Sequence, residues 1–218
     1  MSSLTTVLQL SDDNALPQEE VREMLREIRK DTEQMQSTLD NLLNWSLMQM
    51  GMSHYEPEPV HLKPFLENIL VMYLPLMKKK EIGSSILCSD AVWILADSNQ
   101  LSLIVRNLVD NAVKFTPLHG SITVGLQHEN GASRVYVANS GKGIGAEVVA
   151  RILGSDQVGS SYGTANEKGT GLGLQLCKEF IRNMGSGLEI ASVKNKKTVF
   201  SFVVKEAEPP AADSRQAG

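Results

Sequence analysis

The sequence predicts an α+β fold: a long helix that packs in a bundle, followed by a sandwich with helices over one face of a mixed sheet. Three observations carry this. Residues 18 to 50 hold a heptad pattern that neither proline nor glycine interrupts. Downstream, short runs of strand composition alternate with amphipathic helical segments. Two glycine-bearing stretches, at Gly141 to Gly143 and Gly169 to Gly173, each adjoin one of these regular segments.

Composition sets outer bounds. The chain has 218 residues, enough for one large or two small domains. With 42% hydrophobic and 21% charged residues it has the make-up of an ordinary globular protein. A net charge of −4 gives no basic footprint for nucleic acid. No apolar run reaches the ~18 residues that span a membrane, and no signal peptide is visible. Cys88 and Cys177 lack metal-ligand spacing and are expected to be reduced and partly buried, as in a cytoplasmic protein. His54, His61, His119 and His128 show no triad or metal spacing and read as surface or loop histidines.

In chain order, residues 3 to 11 form a short apolar segment that Ser11 to Asn14 ends. Pro17, Glu19 and Glu20 suit the start of the long helix. Val21, Ile28, Met35 and Leu42 occupy one heptad position; Leu25, Thr32, Leu39 and Ser46 occupy the other. Length and period favour a dimerisation helix over a core helix of a monomer. Gly51 ends it, and Glu56 to Val60, with two prolines, reads as an extended linker between domains. Leu62 to Lys79 reads as a helix that Pro75 should kink or shorten. Residues 82 to 88 and 92 to 95 have strand composition. Asp97 or Ser98 caps a helix over 99 to 115. Residues 122 to 126 and 135 to 138 read as a hairpin that turns at Glu129-Asn130-Gly131. A short helix over 146 to 153 precedes a Gly/Ser/Thr-rich lid, 154 to 171. A helix from Leu172 to Met184 and strands over 188 to 191 and 198 to 204 close the domain, and the chain from 206 onward is expected to be disordered.

Three stretches carry chemistry. In Gly169-Thr170-Gly171-Leu172-Gly173, glycines allow close backbone approach to a ligand, and the helix that follows points N–H groups at an anion. Asn107, Asn111 and Lys114 lie on one helix face, where amides offer oxygen to Mg²⁺ and an ammonium donates to phosphate. The strand ending at Ala138 runs into Asn139-Ser140-Gly141-Lys142-Gly143-Ile144.

In this order the three resemble the N box (Asn107 to Lys114) and the first and second glycine boxes of the ATP-binding domain of sensor histidine kinases, the Bergerat ATPase fold. The likeness extends over essentially residues 1 to 205. It implies a helical dimerisation and phosphotransfer hairpin at 1–55, an ATP-binding catalytic domain at 56–205 and a disordered tail at 206–218. It implies ATP and Mg²⁺ as ligands, with Asn111 on the metal and Asn107 and Lys114 toward phosphate. Phe115 would lie against the adenine, and Asn139 would accept the adenine amino proton where the family more often has Asp. Gly141, Gly143 and Ile144 would turn beneath the base. Gly169, Thr170, Gly171, Leu172 and Gly173 would form the phosphate lid. The phenylalanine expected between the glycine boxes is absent, and Ile152-Leu153 stands in its region. The resemblance further implies transfer of the γ-phosphoryl to a histidine and then to a response regulator receiver domain, by a homodimer held through residues 18–50. No histidine precedes residue 54. The chain is therefore expected to lack the accepting histidine and to be the cytoplasmic part of a larger sensor. A degenerate scaffold that docks partners without using ATP is the alternative, and the intact N box and second glycine box count against it. A serine kinase on the same fold is disfavoured by the heptad helix.

Overall fold

The structure, a computed structural model, describes residues 18–49, 55–129, 131–154 and 172–210. The chain divides into two compact units, residues 1–52 and 53–218.

The first unit contains α1 (Gln18–Gln49), one continuous helix. Glu19 and Glu20 sit in its first turn, where negative charge complements the helix dipole. The polar heptad residue Thr32 donates its hydroxyl to the Ile28 carbonyl at 2.8 Å, so it is satisfied within its own helix. Leu25, Met35, Leu39, Leu42 and Leu43 are all exposed.

The second unit is built on one mixed sheet. Its elements are β1 (Glu58–His61), α2 (Leu62–Lys79), β2 (Gly83–Leu87), β3 (Trp93–Ala96), α3 (Ser98–Phe115), β4 (Ser121–Glu129), β5 (Ala132–Ser140), α4 (Ala146–Gly154), α5 (Leu172–Asn183), β6 (Glu189–Val193) and β7 (Lys197–Ala207). The strands are ordered β1-β3-β7-β5-β4-β2, with β6 also on β7. Only β2 and β4 run parallel; the other pairs are antiparallel. Alternation does the sorting: in β5, Ser133, Val135, Val137 and Asn139 are buried while the residues between them are partly exposed. That buried face meets α3, and α2 and α5 pack on either side of α3. Leu62, Leu66, Leu101, Ile104, Leu108, Ile122, Leu176, Ile181 and Phe202 fill the space between helices and sheet.

Several expectations shift. The stretch read as a linker pairs with β3 in the register Glu58↔Ala96 to His61↔Trp93. Pro59 is tolerated within the strand because β1 is an edge strand, where a missing N–H on the open side costs nothing, and Pro57 precedes it. Pro75 does not shorten α2, which continues to Lys79. Pro75 and Val71 both lie on the solvent side, so the Val71 carbonyl that loses its intrahelical donor is left to water. Strand β7 runs to Ala207, past the expected end at 204, because its last residues pair with β3 as Glu206↔Ile94 and Ala207↔Trp93. Disorder is therefore not the state of Glu206 and Ala207. The lid over 155–171, the N-terminal segment and residues 211–218 lie outside the described residues. Among the described residues no helix is long and apolar enough to cross a membrane.

Candidate nucleotide-binding site

The site starts from α3. Asp97 is its cap: a carboxylate oxygen accepts the Gln100 N–H at 2.9 Å, and the other accepts the Glu56 N–H at 3.2 Å. Leu101, Ile104, Val105, Leu108, Val109, Ala112 and Val113 are buried, which fixes the rotation of the helix about its axis. Asn107, Asn111, Lys114 and Phe115 then fall at its margin, each partly exposed.

Asn107 meets the second glycine box. Its Nδ2 donates to the Leu103 carbonyl at 2.8 Å, one turn back. Its Oδ1 is turned toward Gly173, the second residue of α5: a Cβ built there would stand 2.2 Å from that oxygen. Gly173 is thus a glycine because an amide occupies the place of its side chain. Leu172 opens α5 and is partly exposed. Gly169, Thr170 and Gly171 lie outside the described residues.

The other end of α3 meets the first glycine box. A Cβ on Gly141 would stand 3.0 Å from the Phe115 carbonyl oxygen and 3.6 Å from Asn139 Nδ2. Asn139 is buried at the end of β5, and its amide donates to the Ser140 carbonyl at 3.0 Å. In the ladder it stands between Ile122 on β4 and Thr198 on β7. Thr198 is as buried as Asn139.

The loop beyond is held by the β6–β7 hairpin. Ile144 N–H donates to Ser192 Oγ at 2.7 Å, Gly141 N–H to the Lys196 carbonyl at 3.1 Å, and Asn195 N–H to the Lys142 carbonyl at 2.9 Å. Gly143 has φ 75, a left-handed conformation that costs glycine nothing. Side-chain space there is closed as well, since a Cβ would stand 2.8 Å from the Val193 carbonyl oxygen. Thr198 and Ser192 were not singled out from the sequence. Each is separated from the glycine box by some fifty residues of chain, and only its burial beside Asn139 or its bond to Ile144 marks it.

The structure thus brings Asn107 to Gly173, and the Phe115 carbonyl to Gly141, along a single helix. Asn111 lies on the same face between the two contacts, one turn from Asn107, with Lys114 three residues further. Ile152, in the position of the expected phenylalanine, is buried, and its carbonyl accepts from the buried Lys178 at 3.2 Å. A concavity of about 470 Å³ around Thr123, Tyr136 and Val199 reaches the first glycine box at Asn139 and Ser140, but none of Asn107, Asn111, Lys114 or Gly173 lines it.

The histidines stand elsewhere. His61 stacks on Trp93 with ring centroids 4.7 Å apart and reaches the Asp90 carbonyl at 2.6 Å. His119 pairs with Glu81 at 3.0 Å, and His128 lies 3.0 Å from Ser133 Oγ and 3.3 Å from Glu206. His61 and His128 are on strands rather than loops, while His54 lies outside the described residues. Both cysteines are free; burial raises the thiol pKa of each.

Helices over one face of a mixed sheet, with an amide-bearing helix that meets Gly141 after β5 and Gly173 in α5, define an ATPase domain of the Bergerat type. The chain belongs to the family of histidine kinase-, DNA gyrase B- and HSP90-like ATPases, whose family model matches residues 96–208, just over half of it. Its relatives include sensor proteins. Sensor protein SrrB of Staphylococcus aureus (strain MRSA252) is 23% identical over 194 residues, covering 88% of this chain and 32% of that protein. The methyl sulfide methyltransferase-associated sensor of Methanosarcina acetivorans is 32% identical over 157 residues, covering 69% of this chain and 15% of that protein. The chain spans about a third or less of the length of these relatives. Among solved structures, the nucleotide-free catalytic domain of histidine kinase ThkA is 25% identical with a TM-score of 0.59, covering 69% of this chain and 96% of that one. Two further structures share the fold. Full-length ShkA in complex with AMPPNP is 24% identical (TM-score 0.68, covering 88% of this chain and 40% of that one). ThkA in complex with response regulator protein TrrA is 19% identical (TM-score 0.66, covering 94% and 57%).

Proposed function

We propose that this chain binds Mg²⁺-ATP on the Asn107–Lys114 face and is the ATP-binding kinase core of a cytoplasmic two-component signalling protein. In that role the γ-phosphoryl passes to a histidine and on to a response regulator receiver domain. The observation that carries the reading is the convergence of both glycine boxes on one helix, through Asn107 with Gly173 and Phe115 with Gly141. Asn139 supplies a neutral acceptor or donor for the base, and Lys114 a charge for phosphate. The donor set suits Mg²⁺: Asn111 offers one hard amide oxygen, and the ion takes its remaining ligands from phosphate and water. When bound, the ion neutralises phosphate charge, and the chain's own part is to position the nucleotide. The ShkA complex with AMPPNP and the ThkA complex with TrrA support nucleotide and response regulator as ligands of this architecture. None of the four histidines lies on α1, so the accepting histidine is not on that helix of this chain.

Calorimetric titration with ATP, with and without Mg²⁺, tests the reading. The parent chain binds ATP more tightly with Mg²⁺. Asn111→Ala removes that difference, and Lys114→Ala weakens binding by roughly 1.5–3 kcal/mol, the scale of a hydrogen bond to a charged group. Unchanged affinity in both variants would mean the nucleotide sits elsewhere. No binding by the parent would favour the scaffold that does not use ATP.

A further inference from the structure

The C-terminal turn of α3 carries Lys114 and Phe115, and it ends in a sequence that cannot close its own hydrogen bonds. Thr116 leaves the helix with ψ 128. Its N–H and its hydroxyl are both spent on the Ala112 carbonyl. The next carbonyl, that of Val113, would take its bond from the N–H of residue 117, but Pro117 has none. The Lys114 carbonyl would take its bond from residue 118, beyond the end of the helix. Lys80 answers both. From the turn after α2 its ammonium donates to the Val113 carbonyl at 2.9 Å and to the Lys114 carbonyl at 3.2 Å. Its own carbonyl accepts the His119 N–H at 3.1 Å, so the same residue also holds the loop leaving the helix.

We infer that Lys80 is a positioning residue for the nucleotide: it holds the last turn of α3 in the conformation that aims Lys114 and Phe115 at the ligand. A cation at a helix C-terminus also complements the dipole there. The rest of α3 does not depend on it, since Leu101 through Val113 are anchored by burial in the core. Lys80 touches no nucleotide in this scheme; it acts through Lys114 and Phe115. This inference rests on the nucleotide reading above.

A double-mutant cycle separates this role from a general stabilising one. Mg²⁺-ATP affinity is measured for the parent, Lys80→Met, Lys114→Met and the double variant. Hydrogen exchange at residues 112–116 is measured without nucleotide. Lys80→Met is expected to weaken ATP about tenfold, the effect of a small misplacement at a binding group. It also speeds exchange in the last turn. The double variant loses less than the product of the two single losses, because with the Lys114 side chain gone only Phe115 is left for Lys80 to position. Lys80→Arg, which keeps a cationic donor, recovers most of the affinity. Parent-like affinity in Lys80→Met, or losses that multiply in the double variant, would overturn the assignment while leaving ATP binding intact. A parent that binds no ATP would overturn the nucleotide reading and this one with it.

Discussion

Gly173 and Asn107 show what one residue decides here. The sequence marks the glycine-rich stretch as a candidate phosphate loop. The structure adds a different reason for its last glycine: Asn107 Oδ1 takes up the volume of a side chain. Gly173→Ala is expected to push the Asn107 amide aside and break its bond to the Leu103 carbonyl. That costs about 1 kcal/mol of stability, the net worth of one such bond. On the proposed nucleotide reading, the loss in ATP affinity is larger, because Asn107 is displaced within the candidate site. Denaturant unfolding alongside ATP titration checks the ratio; an affinity loss no larger than the stability loss would show that Asn107 serves packing alone. Asn107, Asn111 and Asn139 stand out as candidates in the sequence because their signal is local: fixed spacing on a helix, or the end of a strand before glycines. Ser192, Thr198 and Lys80 were not, because each acts on a segment distant in sequence, and their residue types carry no pattern of their own.

At the scale of elements, α3 is braced by its neighbour at both ends of the candidate face. Lys80 closes its last turn, and the Tyr73 hydroxyl, on α2, donates to the Arg106 carbonyl at 3.0 Å. Burial, and next the charge of Asp110, push the Tyr73 hydroxyl from the ordinary 10.0 up to about 12. The fold therefore favours the protonated phenol. The stabilisation is complete below pH 10 and is lost as pH rises through about 12. A phenolate can no longer donate to Arg106. Tyr73→Phe lacks both the bond and the titration. It is expected to be less stable than the parent at pH 8 by about 1 kcal/mol. That gap narrows as pH climbs from 10 toward 12. Urea unfolding of both chains across this range measures it, and a gap that stays constant would mean Tyr73 does not titrate in the folded state as argued. Elements were read well where the helical period is strong, as in α2, and where a cap adds to it, as Asp97 does in α3. Edge strand β1 was missed because two prolines in four residues look like a linker. Nothing local shows that β3 lies alongside to accept them.

At the scale of the whole molecule, the class of fold was legible because three motifs occur in a fixed order with helical and strand patterns between them. The order of the strands was not. β7 carries β5 along one side and both β6 and β3 along the other, a pairing that composition does not encode. The heptad helix raises a different question, because its stripe is apolar and no described residue of its unit covers it. Leu39 is 65% exposed and Met35 68%. Side chains of this size, repeated along a helix of about 48 Å at ~1.5 Å per residue, are stabilised by burial against a second helix with the same stripe. A second copy of α1 supplies one. Each fully buried leucine contributes about 1.5–3 kcal/mol. Two lysines in the seam exceed what the remaining pairs supply, since Thr32 and Ser46 already weaken one of its two positions. The chain is therefore expected to be a homodimer, with light scattering reporting twice the mass of one chain. Leu39→Lys with Leu42→Lys should give monomers that bind ATP as the parent does, since the candidate nucleotide face, on α3, belongs to the other unit. A parent chain that scatters as a monomer, or a doubly substituted chain that remains dimeric, would show that the stripe is covered in some other way.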